Sequence, residues 1–118
     1  MNECIFCRIA RAEVPSSVVY ENDKVIAFDD VAPQAPVHVL IIPREHYEHL
    51  GWDVPDDVLA ALLGAAHRVA EIKGIADAGY RVIINTGVDG GQVVKHLHVH
   101  VVGGARMAHG MVRLAEGS

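Results

Sequence analysis

The chain has 118 residues, a formal net charge of −5, 51% apolar residues and two cysteines. This length predicts one small domain with a single core, and the negative charge disfavours a protein that its overall field would hold on nucleic acid. The apolar runs are too short to span a membrane, and the first ten residues lack the basic start and apolar core of a signal peptide. We therefore expect a cytoplasmic protein without nucleic-acid or membrane partners.

Five strands are predicted along the chain. Two short ones, Val18–Tyr20 and Val25–Phe28, flank a turn with the sequence Glu-Asn-Asp. Residues 37–43 are β-branched and apolar almost throughout, which is typical of a central strand covered on both faces. Two further strands are predicted at 80–86 and 95–102, with a glycine-rich loop between them.

One long helix is predicted between the third and fourth strands. Apolar residues recur at helical spacing from Pro55 to Lys73. Asp53 is the predicted cap, Pro55 suits a first turn, and Gly74 is the predicted stop. The order of strand pair, strand, helix and strand pair predicts an α+β domain with a mainly antiparallel sheet.

The last predicted strand carries His96, His98 and His100 at every second position. Alternation places these side chains on one face of the strand, so they line up together. One metal ion cannot bind all three, because residues four apart on an extended strand lie about 13 Å apart. A solvated edge strand is one alternative, and we favour nucleophilic or acid–base chemistry on an anionic ligand, because imidazole titrates near neutral pH. The opposite face, toward the core, takes Leu97, Val99 and Val101.

Two neighbouring features support the anionic ligand. The loop DGGQ at 89–92 offers backbone N–H groups where glycine allows close approach, so it can cradle a phosphate, although a Gly-Gly pair is often a simple turn. His38 lies in another apolar strand. It can join the histidine cluster or be a satisfied core histidine, and the sequence leaves both open.

The stretch GGQVVKHLHVHVVGG resembles the signature of the histidine-triad superfamily, and the stretches CIFCRIARAEVPSSVVYENDKVIAFDDVAPQAPVHVLIIPREH and GYRVIINTGVDGGQ resemble its short nucleotide-binding branch of bacterial type. The resemblance covers residues 3 to about 104, leaving 105–118 as a C-terminal tail. It implies a sheet of about five strands with one long helix and a short N-terminal helix, and a homodimer across which the sheet extends. It also implies hydrolysis of purine nucleoside 5′-monophosphate derivatives, such as phosphoramidates and aminoacyl-adenylates, through a nucleotidyl-histidine intermediate.

The resemblance implies a role for each member of the candidate catalytic set. His98 corresponds to the nucleophile that attacks the α-phosphate. His100 and Gln92 correspond to groups at the phosphate and leaving group, while His38 and His96 correspond to outer members that hold the row in place. No metal is required for catalysis in this scheme. The residues implied to contact the nucleotide are Phe6, Ile9, Phe28, Asp30, Asn85, Gly91, Gln92, Val93, His98 and His100.

Within that nucleotide set, Phe6, Ile9 and Phe28 correspond to residues that sandwich the base. Asp30 corresponds to the acid that binds the ribose hydroxyls, and Asn85 to an amide near the leaving group. Apolar stacking tolerates adenine and guanine alike, so the identity of the purine stays open.

The two cysteines belong to a candidate zinc site. Cys4 and Cys7 stand three residues apart, and a closed zinc site needs about four nitrogen or sulfur ligands. The resemblance implies that His46 and His96 complete the set, with His49 as a weaker substitute. The alternative is a pair of reduced, partly buried thiols and an exposed His46.

Two features depart from the family pattern. Val93 stands where animal members have a serine, so a hydroxyl that can protonate or orient a leaving amine is absent. The tail lacks a Trp-Pro-Pro ending, resembles the longer tails of certain bacterial members, and is expected to pack near the dimer partner's site and alter leaving-group range. Two other functions stay open, a dinucleoside polyphosphate hydrolase and a non-catalytic nucleotide-binding regulatory module.

Overall fold

The computed structural model describes residues 4–115 as an antiparallel sheet with two helices. The strands lie in the order β1-β2-β3-β5-β4, and every neighbouring pair is antiparallel. This confirms the predicted α+β class, the five-stranded antiparallel sheet, the long helix and the short N-terminal helix. The elements are α1 (Ile5–Ala10), β1 (Val18–Glu21), β2 (Val25–Asp29), β3 (Val37–Pro43), α2 (Asp56–Ile72), β4 (Tyr80–Ile83) and β5 (Val99–Gly103).

Strand β3 is central and has both faces covered, as its apolar sequence predicts. Helix α2 packs on one face, where Leu62 and Val69 meet Val39 and Ile41 of β3 in a buried cluster. The other face is covered by α1, whose two buried residues pack with strand residues in a second cluster. Burial on both faces explains why β3 lacks the polar alternation of a half-exposed strand. The second cluster comprises Phe6, Ile9, Ile26, Phe28, Leu40 and Ile42.

The pairing of β3 with β5 brings distant residues together. His38 lies opposite Val102, and Leu40 lies opposite His100. Directly paired residues in antiparallel strands point to the same face, so His38 and His100 are diagonal neighbours on the α1 side of the sheet. A sequence separation of 62 residues thus becomes a side-chain contact.

Two predicted strands are longer than the observed ones. β4 ends at Ile83 rather than at residue 86, where the chain turns toward the glycine-rich loop. β5 begins at Val99 rather than at residue 95, because the Leu97 N–H donates to the Tyr47 carbonyl at 2.6 Å instead of extending the ladder. The predicted helix stop is confirmed, since Gly74 follows the last turn with φ +75°.

The predicted cap of α2 is wrong. Asp53 lies in a turn with φ +44°, and the helix begins later, at Asp56, with Pro55 in the capping position and no side-chain cap. Proline offers no acceptor to the free N–H groups of the first turn. Asp56 and Asp57 instead place negative charge there, which complements the positive end of the helix dipole.

The chain after β5 carries no helix or strand through residue 115. Arg81, opposite Val102 in the sheet, reaches the tail and donates to the Ala108 carbonyl. The last three residues of the predicted tail lie outside the described residues. Neither helix in the described chain is long and apolar enough to cross a membrane.

Candidate active site and candidate metal centre

The three alternating histidines share one face, as predicted. Leu97, Val99 and Val101 lie in the core cluster on the α2 side. On the α1 side, Phe6 meets the rings of His96 and His98 edge-on, at centroid distances of 5.8 and 5.2 Å. The solvated-edge alternative is wrong. The strand β5, which carries His100, lies between β3 and β4, and His96 and His98 just before it are buried.

His98 has one ring nitrogen bound and one available. Its Nδ1 lies 2.7 Å from the His96 carbonyl oxygen, which can only accept a hydrogen bond. Nδ1 therefore carries the proton in the neutral ring, and Nε2 keeps an unshared electron pair. Side-chain nucleophiles need that available pair, and the backbone contact also fixes the ring orientation.

A chain of hydrogen bonds sets the protons of His38 and His100. The Gln34 backbone N–H donates to His38 Nδ1 at 3.0 Å, so the proton of neutral His38 is on Nε2. That nitrogen lies 2.9 Å from His100 Nδ1 and 3.4 Å from an Asp30 carboxylate oxygen. His100 Nδ1 then accepts, which leaves His100 with an Nε2–H donor. His38 therefore joins the cluster and is also satisfied, so both open interpretations hold.

Burial keeps His100 neutral. Burial first, and then the neighbouring His98 and His38, lower the pKa of His100 to about 4 against the opposing charge of Asp30. Near pH 7 the ring is therefore an uncharged hydrogen-bond donor. Such a donor can hold a phosphate oxygen without first losing or gaining a proton.

A cavity of about 900 Å³ opens beside this row and brings together nearly the whole predicted nucleotide set. One wall is apolar, with Phe6 edge-on to Phe28 at 5.7 Å between centroids. The polar part of the lining includes His98, His100 and Asn85. Nine of the ten residues predicted from the sequence line the cavity, namely Phe6, Ile9, Phe28, Asp30, Asn85, Gly91, Val93, His98 and His100.

Gln92 is the predicted member that the cavity lining does not include. Its amide oxygen accepts the Gly87 N–H at 2.9 Å, and its amide nitrogen donates to the carbonyls of Glu48 and Val94. The side chain therefore braces the glycine-rich loop. Its predicted contact with phosphate or leaving group stays a prediction.

The glycine-rich loop is also braced from the other end. Asn85 donates to the Gly90 carbonyl at 2.7 Å. A Cβ on Gly90 would lie 2.3 Å from the Thr86 carbonyl oxygen, so this position has room for glycine alone. Gly91 has φ +78°, a conformation that glycine adopts without steric cost. The loop is a fixed turn whose end lines the cavity.

A second, smaller cavity of about 470 Å³ meets the first one. Gln34, Asn85 and His100 line both cavities, so the two are neighbours. The remaining lining includes Arg106 and Met107 of the tail. The sequence did not predict these contributions, because the tail has no period that would place it against the sheet.

The candidate metal ligands converge from three parts of the chain. Cys4 Sγ lies 3.3 Å from His96 Nδ1, and Cys7 Sγ lies 3.2 Å from His46 Nδ1. The two Nδ1 atoms are 3.2 Å apart, and all four ligand atoms lie within 4.8 Å of one another. Tetrahedral zinc, with bonds of about 2.0–2.3 Å, places neighbouring ligand atoms about 3.3–3.8 Å apart. The four atoms therefore fit one tetrahedral ion. His49, the weaker substitute, stacks near Trp52 instead.

The protonation of His96 also suits a metal. The fully buried His96 donates its Nε2–H to the Pro43 carbonyl at 3.1 Å, so Nδ1 is unprotonated and faces the sulfur atoms. Metal-binding histidines commonly donate their second nitrogen to a carbonyl in this way. Burial lowers the pKa of His96 to about 4, and burial together with Cys4 raises that of Cys7 to about 11.

A second group of ligand types, Asp30, His38 and His100, is equally close together. A metal on His38 Nε2 would require the ring proton to sit on Nδ1. That nitrogen already accepts the Gln34 N–H. The tautomer therefore favours a hydrogen-bonded network at this position over a metal site.

The fold and the histidine row together define a histidine-triad protein. The HIT domain family matches residues 11–107, and the chain belongs to this family. It is 46% identical over 105 residues to the purine nucleoside phosphoramidase of Escherichia coli K12, covering 86% of this chain and 87% of that protein. It is 45% identical over 109 residues to the 14 kDa zinc-binding protein of Brassica juncea, covering 89% and 96%. The solved structure of a HIT family hydrolase from Clostridium thermocellum superposes with a TM-score of 0.89 at 44% identity, covering 95% of this chain and 99% of that chain.

Proposed function

We propose that this protein hydrolyses purine nucleoside 5′-monophosphate derivatives, with phosphoramidates and aminoacyl-adenylates as its substrate class. The observation that carries the proposal is the unprotonated Nε2 of His98. His98 lines a cavity that also contains apolar side chains and the neutral imidazole of His100. The similarity to a purine nucleoside phosphoramidase supports the same chemistry.

The reaction takes place in two displacements at phosphorus. The Nε2 electron pair of His98 forms a bond to the α-phosphorus, and the bond from phosphorus to the leaving nitrogen breaks. That nitrogen departs with the electron pair and takes a proton from solvent. Water then attacks phosphorus, the bond to His98 breaks, its electron pair returns to Nε2, and a proton goes to solvent. With a phosphoramidate the products are a nucleoside monophosphate and an amine; with an aminoacyl-adenylate the bond that breaks runs from phosphorus to the carboxylate oxygen, which leaves with the electron pair. One difficult step has become two easier ones.

Different residues around the nucleophile bind the base, the ribose and the phosphate of the nucleotide. Phe6, Ile9 and Phe28 form the apolar wall for the base, and Asp30 accepts hydrogen bonds from the ribose hydroxyls. The neutral Nε2–H of His100 stabilises charge that develops on the phosphate oxygens, as an oxyanion hole does. We expect the phosphate also to contact Asn85, Gly91 and Val93.

The decisive experiment compares substrates and variants. We expect wild-type protein to release AMP from an adenosine phosphoramidate faster than from a diadenosine polyphosphate. His98→Ala should abolish turnover and retain AMP binding, because Phe6 and His100 remain. His67→Ala, which removes an exposed histidine bonded to Tyr80 on the α2 side, serves as the matched control with unchanged turnover.

The other outcomes have defined meanings. Retained turnover in His98→Ala would overturn the mechanism. Faster cleavage of the diadenosine polyphosphate would assign the polyphosphate hydrolase function. Wild-type binding of AMP without any turnover would assign a regulatory binding module.

We also propose that Cys4, Cys7, His46 and His96 bind one structural zinc ion per chain. When bound, zinc would hold both thiols as thiolates and tie α1 to the segment that carries His98. Protein purified without chelators should contain one zinc per chain, and Cys7→Ser should contain much less. His49→Ala is the control, because His49 lies outside the cluster. A zinc content well below one in the wild type would contradict the site.

A homodimer in the cytoplasm, without nucleic acid or membrane partners, completes the proposal. The tail beyond Met107, past the residues that line this chain's own cavity, would then modify leaving-group preference near the partner's site. Light scattering of the purified protein should give twice the 12.7 kDa chain mass. A monomeric mass would remove the partner's contribution from the scheme.

A further inference from the structure

The two cavities are neighbours that share His100 in their lining. His98 lines the larger cavity, together with the apolar wall of Phe6 and Phe28, but it is not part of the lining of the smaller one. In an in-line displacement the leaving group departs on the side of phosphorus away from the nucleophile. A phosphate held between His98 and His100 would therefore direct its leaving group toward the smaller cavity, which we call the side cavity.

The lining of the side cavity has an uneven chemical character. Pro36, Ile83, Val102 and Met107 give it an apolar body. Arg106 is its single permanent positive charge, and none of its lining residues is acidic. Among residues 4–115 no carboxylate forms an ion pair with Arg106. A guanidinium with no carboxylate of its own attracts one from a ligand, often with two parallel hydrogen bonds.

The tail segment that carries Arg106 is held against the sheet by a side chain of β4. Arg81 points to the same face as Ile83, because each pairs with a β5 residue of the histidine face. Its guanidinium donates to the Ala108 carbonyl, two residues beyond Arg106. Gly104, just before the segment, has φ +91° and turns the chain back toward Pro36. These contacts place Arg106 in the lining of the side cavity without involving its own charge.

We propose that Arg106 makes this enzyme prefer leaving groups that carry a carboxylate, such as an α-amino acid joined to phosphorus through its nitrogen. The inference rests on the proposed function and adds the chemical class of the leaving group. After the bond from phosphorus to nitrogen breaks, the departing amino acid retains its carboxylate against the guanidinium. A leaving group that carries a cation and no carboxylate, such as a diamine linked through one nitrogen, meets the same charge unfavourably.

The test compares adenosine 5′-phosphoramidates of glycine and of glycinamide, whose leaving groups differ in whether they carry a carboxylate, and reads the change in their rate ratio between wild type and variants. Arg106 is exposed, so the pair is worth about as much as a surface ion pair with good geometry. We expect the ratio of kcat/KM for the glycine compound to that for the glycinamide compound to be about two- to fivefold higher in the wild type than in Arg106→Gln at low salt. Arg106→Gln should show the ratio that the two amines set by themselves, and Arg106→Glu should lower the ratio further. Arg113→Gln removes a tail arginine outside the cavity lining and is the matched control, with the wild-type ratio retained.

The substrate ratio separates charge recognition from a merely structural role, because a general loss of activity affects both compounds alike. In 0.5 M salt the wild-type ratio should shrink, since screening weakens the exposed pair. An unchanged ratio in Arg106→Gln, with both compounds still cleaved, would overturn the inference and leave the proposed function intact. Failure of wild-type protein to cleave either compound would instead refute the proposed function.

Discussion

Leu97 offers a direct test of how the histidine row is supported. It stands between His96 and His98 but points away from both, with 1% of its surface exposed, into the core beneath α2. Replacing it with alanine leaves the backbone bond from its N–H to the Tyr47 carbonyl in place. The substitution therefore removes side-chain packing and little else.

The size of the effect follows from the atoms removed. Leu97→Ala takes away three carbon atoms, worth about 2.4 kcal/mol of transfer free energy at about 0.8 kcal/mol each. A cavity term adds to this, because Val39 and Val69 belong to a sheet and a helix that cannot collapse fully into the space. We expect a total loss of about 3–4 kcal/mol in the free energy of unfolding. For a chain of this size that corresponds to a fall of about 12–15 °C in Tm.

Urea denaturation followed by circular dichroism, at one fixed protein concentration, measures the loss. Val93→Ala is the control in the same segment, because Val93 is 89% exposed and its truncation should change stability by less than about 0.5 kcal/mol. A loss below 1 kcal/mol for Leu97→Ala would refute the reasoning that this residue faces the core and the histidines face the cavity.

Two further predictions concern the site itself. The native pKa of His100, about 4, lies below the unfolded value of 6.5, so the unfolded chain binds more protons between these pH values. His100 alone should therefore lower the free energy of unfolding by at most about 3 kcal/mol as the pH drops from 7 to 4, and His96, whose pKa is also about 4, contributes separately. His100→Gln should show a shallower dependence in the same titration, and identical curves would contradict the assignment. Gly90→Ala would place its Cβ 2.3 Å from the Thr86 carbonyl oxygen, so calorimetry should show AMP affinity falling more than tenfold. In Gly91→Ala the new Cβ would meet no atom within 4 Å, and the backbone strain would cost only about 1 kcal/mol. Equal losses of AMP affinity in both variants would refute the steric argument.

Periodicity predicted the parts of the structure that repeat. The alternation of Leu97, Val99 and Val101 with histidines located the core face and the site face of one segment, and helical spacing located α2. The resemblance to a family supplied what periodicity cannot, namely that Cys4 would meet His96 across 92 residues of chain.

The sequence missed features that depend on backbone groups. The carbonyls of Pro43 and His96 and the N–H of Gln34 decide where each histidine carries its proton, and every residue type has such groups. Asp53 was mistaken for a cap because an acid before a helix usually serves as one, whereas here it occupies a left-handed turn. Residue identity suggested the participants in the site, while the path of the chain determined their tautomers.

The pairing of β3 with β5 has a kinetic consequence. The two strands are separated in the chain by α2 and β4. Bringing them together therefore closes a long loop, and this loss of chain entropy comes before any contact between the strands can stabilise the fold. The helix and the β1–β2 hairpin, by contrast, depend on contacts between neighbours in the chain. His38 and His100 meet only when this late, non-local pairing is complete. A nucleotide analogue added during refolding should therefore bind only in the final cooperative phase, which would make ligand binding a reporter of the fully folded chain.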